Sequence, residues 1–367
     1  MSTATALVFA AVVAGRFLLP LLIFRHPLPA IIACLILDGV DQTIFQTFGY
    51  DPPGYQSYDK AMDIFYLAIA YLATLRNWTS MWAFQVSWFL YFYRLIGVVL
   101  FEFTHFRPLL LIFPNTFEYF FIAYEAIRSR WQVAARDYRF WIALATLIWV
   151  VVKLPQEYWI HVAQMDLTDT LSDHPWTIGV LIALVVGACL GIRYLAATYL
   201  GEPQPGLRLA ADPIPPAINE ASERAAWTAK YGKLRSMATA EKVVLVGLIS
   251  VIYARVLPDY EGSSVSLFFG VGVVVLVNAA FTILASRRMW TVESALAGFV
   301  GRLAFNVAFV LVADWLLRRN SGDLDFIDTF FFLSLISLIT SLHDRYRPVH
   351  AVRMRETTEP IRGAATA

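Results

Sequence analysis

Apolar residues fill stretches of about twenty positions from one end of the chain to the other, separated by short connectors rich in charge, proline or glycine. At about 1.5 Å per residue, a helix of that length crosses the hydrocarbon core of a bilayer. The pattern predicts about eleven helices, near 4–24, 28–47, 58–75, 79–101, 108–127, 140–157, 176–200, 242–258, 264–285, 292–317 and 326–343. The expected fold class is all-α, a polytopic integral membrane bundle. The short alternating segments of a membrane β-barrel are not what the chain displays.

Loop charges orient this bundle. With the N-terminus outside, most of the 29 Lys and Arg fall at cytoplasmic ends: Arg25, Arg76, the group Arg128 to Arg139, the group Arg208 to Lys242, Arg287 and Arg288, and the tail from Arg345 to Arg362. The outer loops keep few, among them Lys60, Arg107 and Lys153. The positive-inside rule then places the C-terminus in the cytoplasm.

One long break, 201–241, splits the bundle. Residues 1–200 form a first part of about seven spans, and 242–343 a second of about four. The start of the break holds Pro203, Pro205, Pro213, Pro215 and Pro216 and is expected to be extended. From 217 to 242 the sequence reads as a basic amphipathic helix with Trp227 and Tyr231, suited to anionic lipid headgroups. Residues 344–367 read as a disordered, basic cytoplasmic tail.

Composition agrees. The chain is 58% hydrophobic and 16% charged, with mean hydropathy +0.59, against about 25% charged residues in soluble domains. A net charge of +1 gives no reason to expect nucleic acid. Cys34 and Cys189 both lie in apolar spans and read as small buried hydrophobes. The first apolar stretch ends at Arg25 without a small-residue cleavage site and reads as a retained helix. No Walker loop, dinucleotide fingerprint, G-x-S-x-G elbow or H-E-x-x-H motif is present. The expected location is a bacterial plasma membrane.

Charges inside apolar spans are costly and mark candidate sites. Asp38 and Asp41 (i,i+3) lie near the end of one span and Asp59 and Asp63 (i,i+4) at the start of the next, each pair on one face of its own helix; whether the two faces meet is set by helix rotation, which the sequence does not fix. Asp41 and Asp63 should lie about 8 Å below the outer surface, Asp38 about 12 Å, Arg94 about 10 Å and Glu118 about 15 Å. The four aspartates are candidate catalytic residues and candidate ligands for Mg²⁺ or Mn²⁺. Crowded carboxylates also suit a general base. Arg94 and Lys153 are candidate phosphate-binding residues, with Glu118 orienting Arg94, and Arg94 is expected to pair with Glu118 or Asp38. Glu102 with His105, and Glu157 with His161, are weaker candidate metal pairs at helical spacing. The loop that follows carries Asp166, Asp169, Asp173 and His174. Arg302, Asn306 and Asn278 are expected to bridge helices by hydrogen bonds, and Asp314 and Asp328 sit near the outer ends of the last two spans.

The aspartate spacing resembles the signature of CDP-alcohol phosphatidyltransferases, D-x2-D-G-x2-A-R-x8-G-x3-D-x3-D, with Asp38, Asp41, Asp59 and Asp63 at its four acidic positions. The resemblance implies divalent-metal binding and activation of an acceptor alcohol by these residues. Gln42 replaces the signature glycine, Phe45 and Gln46 its Ala-Arg pair, and Tyr55 its later glycine. Those positions help form the nucleotide site, and CDP-linked donors are cytoplasmic whereas loop charge puts this cluster outside. The family is therefore not assigned. An acidic site near the first outer loop also resembles the placement in multi-span polyprenol-dependent glycosyltransferases, by architecture alone.

Three functions fit these features. The leading one is a metal-dependent transferase acting on a lipid-linked, phosphate-containing substrate near the outer leaflet. The alternatives are a proton- or cation-coupled transporter and a non-catalytic membrane scaffold.

Overall fold

The computed structural model describes residues 3–49, 55–134, 136–159, 176–256, 264–290, 295–317 and 326–365. All regular elements among the described residues are helical. Six helical stretches there are long and apolar enough to cross a membrane: Thr5–Phe24, Pro27–Thr47, Met81–Thr104, Tyr138–Glu157, Met237–Ala254 and Leu267–Arg287. Each coincides with a span predicted from the sequence.

The chain does not divide at the 201–241 break. Contacts gather it into two compact units, residues 1–81 with 210–367, and residues 82–209. Helices after the break return to pack on the third helix, Tyr55–Asn77.

In the first unit the elements are α1 (Thr3–Leu18), a 3-10 turn Leu19–Phe24, α2 (Pro27–Thr47) and α3 (Tyr55–Asn77). α3 is the central helix, with every residue from Ala61 to Leu75 buried except Asp63. Alternating small and large side chains (Ala68, Ile69, Ala70, Tyr71, Leu72, Ala73) let neighbours approach it closely, which is how helices associate where the solvent is itself apolar. Phe17 of α1 meets Phe65 of α3 at 5.1 Å between ring centroids, and Phe9 meets Phe45 of α2 at 5.4 Å. These contacts hold α1 and α2 against the acidic end of α3.

The second unit contains α4 (Met81–Thr104, whose first residue belongs to the other unit), α5 (Pro108–Ile112), α6 (Thr116–Arg130), α7 (Tyr138–Leu147), α8 (Leu154–Glu157) and α9 (Thr177–Tyr199). The span expected at 108–127 is interrupted. Pro114 brings no backbone N–H, and the chain leaves helical geometry at Phe113 and re-enters at Asn115. Between α7 and α8, residues Ile148–Lys153 form a π-helical segment. Irregular backbone at membrane depth is tolerated where protein groups satisfy it, and here they do. The Tyr93 hydroxyl donates to the Ile112 carbonyl at 3.0 Å, and Arg94 Nη1 donates to the Phe113 carbonyl at 2.9 Å. The Asn115 N–H donates to Glu157 Oε1 at 3.0 Å. Gly97 of α4 makes room for the break, because a Cβ there would lie 2.1 Å from the Phe113 Cβ.

The remaining helices belong to the first unit: α10 (Ala221–Tyr231), α11 (Met237–Val256), α12 (Ser264–Arg287), α13 (Ala295–Leu317) and α14 (Phe326–Ala365). The amphipathic helix expected over 217–242 is only α10. A capping box between Glu220 and Glu223 starts it, and the chain leaves helical geometry at Gly232. Two basic residues of that stretch are not at the surface. Arg224 is buried and donates to the Ile218 and Asn219 carbonyls, and Lys242 is buried inside α11.

Much of the stretch expected as a tail is helical among its described residues. α14 runs on to Ala365, Val349 is fully buried, and Arg353 Nη2 donates to the Pro213 carbonyl at 2.9 Å. A basic composition hid an apolar face.

That extension supplies a pH dependence. Burial pushes the His350 imidazole down to about 3, and Arg347 and Arg353 add to the effect against Glu241. The unfolded value is about 6.5, so between the two the unfolded chain binds the extra proton. The stability from neutral His350 is present above about pH 6.5 and is lost as pH falls toward 3. Lowering pH from 7 to 5 is expected to cost on the order of 1–2 kcal/mol more in the wild type than in His350→Asn. Equal losses in thermal melts of the two proteins would refute this account.

Candidate acidic site in the membrane bundle

The two aspartate pairs face each other, and a residue of α1 stands between them. Arg16 Nη2 lies 2.5 Å from Asp38 Oδ1 and 3.0 Å from Asp63 Oδ1. Its Nη1 lies 3.1 Å from Asp59 Oδ1 and also contacts Asp41 Oδ2. One guanidinium thus gathers four carboxylates from two other helices. Its planar fork of five donors makes this possible, which a lysine could not match.

Exposure is graded across the cluster. The side chains of Arg16 and Asp41 are 3% and 0% exposed, while Asp38, Asp59 and Asp63 are 26%, 33% and 40% exposed. Arg16 and Asp41 form the floor of a cup whose rim is the other three. A carboxylate oxygen from each of Asp38, Asp59 and Asp63 lies within 4.8 Å of the others, a spacing that can hold a metal ion. Among the described residues this is the one such group. Asp41, expected as a fourth ligand, is turned to Arg16. The rim is set by α3, and the Tyr253 hydroxyl of α11 donates to the Ala61 carbonyl, between Asp59 and Asp63, at 2.7 Å.

In the sequence Arg16 lies inside the first apolar span, with no partner evident from spacing. Its depth was the available signal. It lies about 18 Å below the outer surface by helical rise, and a long arginine stem carries its head toward the interface and so toward the aspartates.

Arg94 is not the cation of this cluster; Asp38 is held by Arg16. Arg94 belongs to the second unit and serves the Phe113 carbonyl. Glu118, in the first turn of α6, accepts from Asn115 Nδ2 at 2.8 Å. Lys153 is buried, lies 3.8 Å from Glu157 Oε1, donates to Gln156 Oε1 at 2.9 Å and sits 4.5 Å from the centroid of the Tyr119 ring. Asn115, Glu118, Lys153 and Glu157 therefore make a buried polar group around the broken helix. Glu102 is buried, but His105 lies past the end of α4 with φ +53°, so that pair does not share a helix face. His161 and the loop Asp166, Asp169, Asp173 and His174 lie outside the described residues, as does Asp328's side chain and those of Cys189 and Asp314. Cys34 is buried, as expected.

A second ionic group of the first unit went unseen in the sequence. Asp344 of α14 binds Lys242 of α11 at 2.6 Å and Arg302 of α13 at 2.7 Å. Glu241 receives the Tyr71 hydroxyl of α3 at 2.7 Å, and also meets His343 at 3.2 Å and Arg347 at 3.5 Å. Arg302 and the asparagines do bridge helices: Arg302 Nη2 donates to Thr282, Asn278 Nδ2 to Asn306 at 2.6 Å, and Asn306 Nδ2 to Ser337 at 2.8 Å.

No protein family, curated protein or solved structure matches the chain.

Proposed function

We propose that this is a cation-coupled membrane transporter, seated in a bacterial plasma membrane with its N-terminus outside and about eleven spans, and that the cup around Arg16 is its coupling site. The observation that carries the reading is the imbalance of four carboxylates against one guanidinium, three of the four being only partly covered by protein. Buried charge must be balanced. A proton or metal cation arriving at Asp38, Asp59 and Asp63 supplies the missing charge and competes with Arg16 for the same oxygens. Arg16 is a polar tie of α1 to α2 and α3, so cation binding weakens that tie and biases the position of α1. A ligand shifts such an equilibrium only through differential interaction with its two states, which this competition provides. The interrupted α5/α6 span with its buried polar groups supports the same reading, since discontinuous helices commonly form transporter sites.

The metal-dependent transferase remains as a second reading, favoured by the spacing of Asp38, Asp59 and Asp63. Against it, Lys153 and Arg94, the expected phosphate ligands, already have protein partners.

Reconstituted proteoliposomes test both. A jump in external pH or divalent concentration is expected to give a transient charge displacement that Asp63→Asn reduces at least tenfold. Saturable Mn²⁺ binding without charge movement would move the assignment to the transferase. Neither binding nor movement would leave a structural network.

A further inference from the structure

We infer that the inner end of α12 and the turn between α10 and α11 form a groove for one anionic phospholipid. The inference is independent of the acidic cup. The two segments enclose an open pocket of about 470 Å³. Lys233 and Leu234 of the turn form one wall, and Ala280, Ile283, Leu284 and Arg287 of α12 the other. The α12 residues are spaced i, i+3, i+4 and i+7, so they lie along one helix face. The result is a trough with apolar walls and two exposed cations, Lys233 and Arg287, with no acidic residue in its lining.

The sequence shapes this trough. Gly232 turns the chain off the end of α10; a Cβ there would lie 2.4 Å from the Thr228 carbonyl oxygen. Thr239 Oγ1 then donates to the Lys233 carbonyl at 3.1 Å, and the Thr239 N–H donates to Ser236 Oγ at 3.2 Å, fixing the turn. α12 is one of the membrane-spanning candidates, and Arg287 ends it. A lipid lying beside α12 would run an acyl chain along Leu284, Ile283 and Ala280 and bring its phosphate to Arg287 and Lys233. Charge complementarity selects an anionic headgroup, about one unit of surface attraction coming from each cation. A free phosphate would use the cations and leave the apolar wall idle.

Native mass spectrometry of the purified full chain tests the groove. The protein is titrated with phosphatidylglycerol, with phosphatidylcholine of the same acyl chains, and with soluble glycerol phosphate as competitor. One saturable phosphatidylglycerol site is expected, weakened about 30-fold in Lys233→Gln/Arg287→Gln. Phosphatidylcholine binding should be unchanged by that variant. Ala280→Trp, at an exposed position, keeps both charges but fills the trough and should block the site equally. Equal binding of the two lipids would overturn the inference, as would full displacement by glycerol phosphate. Unchanged phosphatidylglycerol binding in Ala280→Trp would also overturn it, because a charged surface alone would then suffice.

Discussion

Arg16→Met is expected to destabilise the protein by about 3–5 kcal/mol, the cost of leaving buried charge without its partner. The substitution keeps an unbranched apolar stem like that of the arginine and removes the guanidinium. Asp41 suffers most, being wholly buried and in contact with Arg16. Asp38, Asp59 and Asp63 can turn toward solvent and recover part of the loss. Arg16→Met/Asp41→Asn should therefore regain a substantial share of the stability. Arg16→Lys should fall between, because an ammonium cannot reach four carboxylates at once. The same experiment bears on function. Millimolar Mg²⁺ or Ca²⁺ should partly restore the melting temperature of Arg16→Met, with the ion standing where the guanidinium stood. Thermal melts in detergent with and without the ion decide it. A variant as stable as wild type would refute the central role of Arg16; an unstable variant indifferent to cations would refute the competition on which the transport reading rests.

The sequence made the aspartate cluster visible because its logic is local. Two short helical spacings and two adjacent span ends suffice to bring Asp38, Asp41, Asp59 and Asp63 near each other. Arg16 was hidden because its partnership depends on how α1 is rotated, which packing such as Phe17 on Phe65 decides. The break at Phe113–Asn115 was written locally, in a proline followed by an asparagine at the first position before α6, but averaging hydropathy over a span runs straight through it. The tail misled in the opposite way. Five arginines among its 24 residues make it read as a solvated basic segment, yet Val349 and Met354 are buried. The two-unit division could not be read from composition at all. The prolines of 203–216 mark an obvious linker, but α14 reaches back across it to pack on α3, and contacts of that sequence separation leave no local trace.

Asp344→Ala is expected to cost about as much as Arg16→Met, again about 3–5 kcal/mol. Lys242 and Arg302 would lose their shared carboxylate, and both are largely buried, at 5% and 14% side-chain exposure. The carboxylate ties α11 and α13 to α14, and Thr282 of α12 lies within 3.5 Å of it. Asp344→Asn should lose less, since its amide oxygen still accepts from either cation. Combining Asp344→Ala with Arg16→Met then asks whether the two ionic groups communicate. Both reach α3: Arg16 through Asp63, and the second ionic group through Tyr71 and Glu241. Asp63 and Tyr71 are eight residues apart, about 12 Å along the helix. Independent sites at that separation should give additive losses within about 0.5 kcal/mol. A membrane protein that only needs its helices held in place should behave that way. A protein that transmits cation binding from the cup to the second ionic group should instead show a coupling energy of about 1 kcal/mol or more, because α3 would shift as one rigid body between two sets of partners.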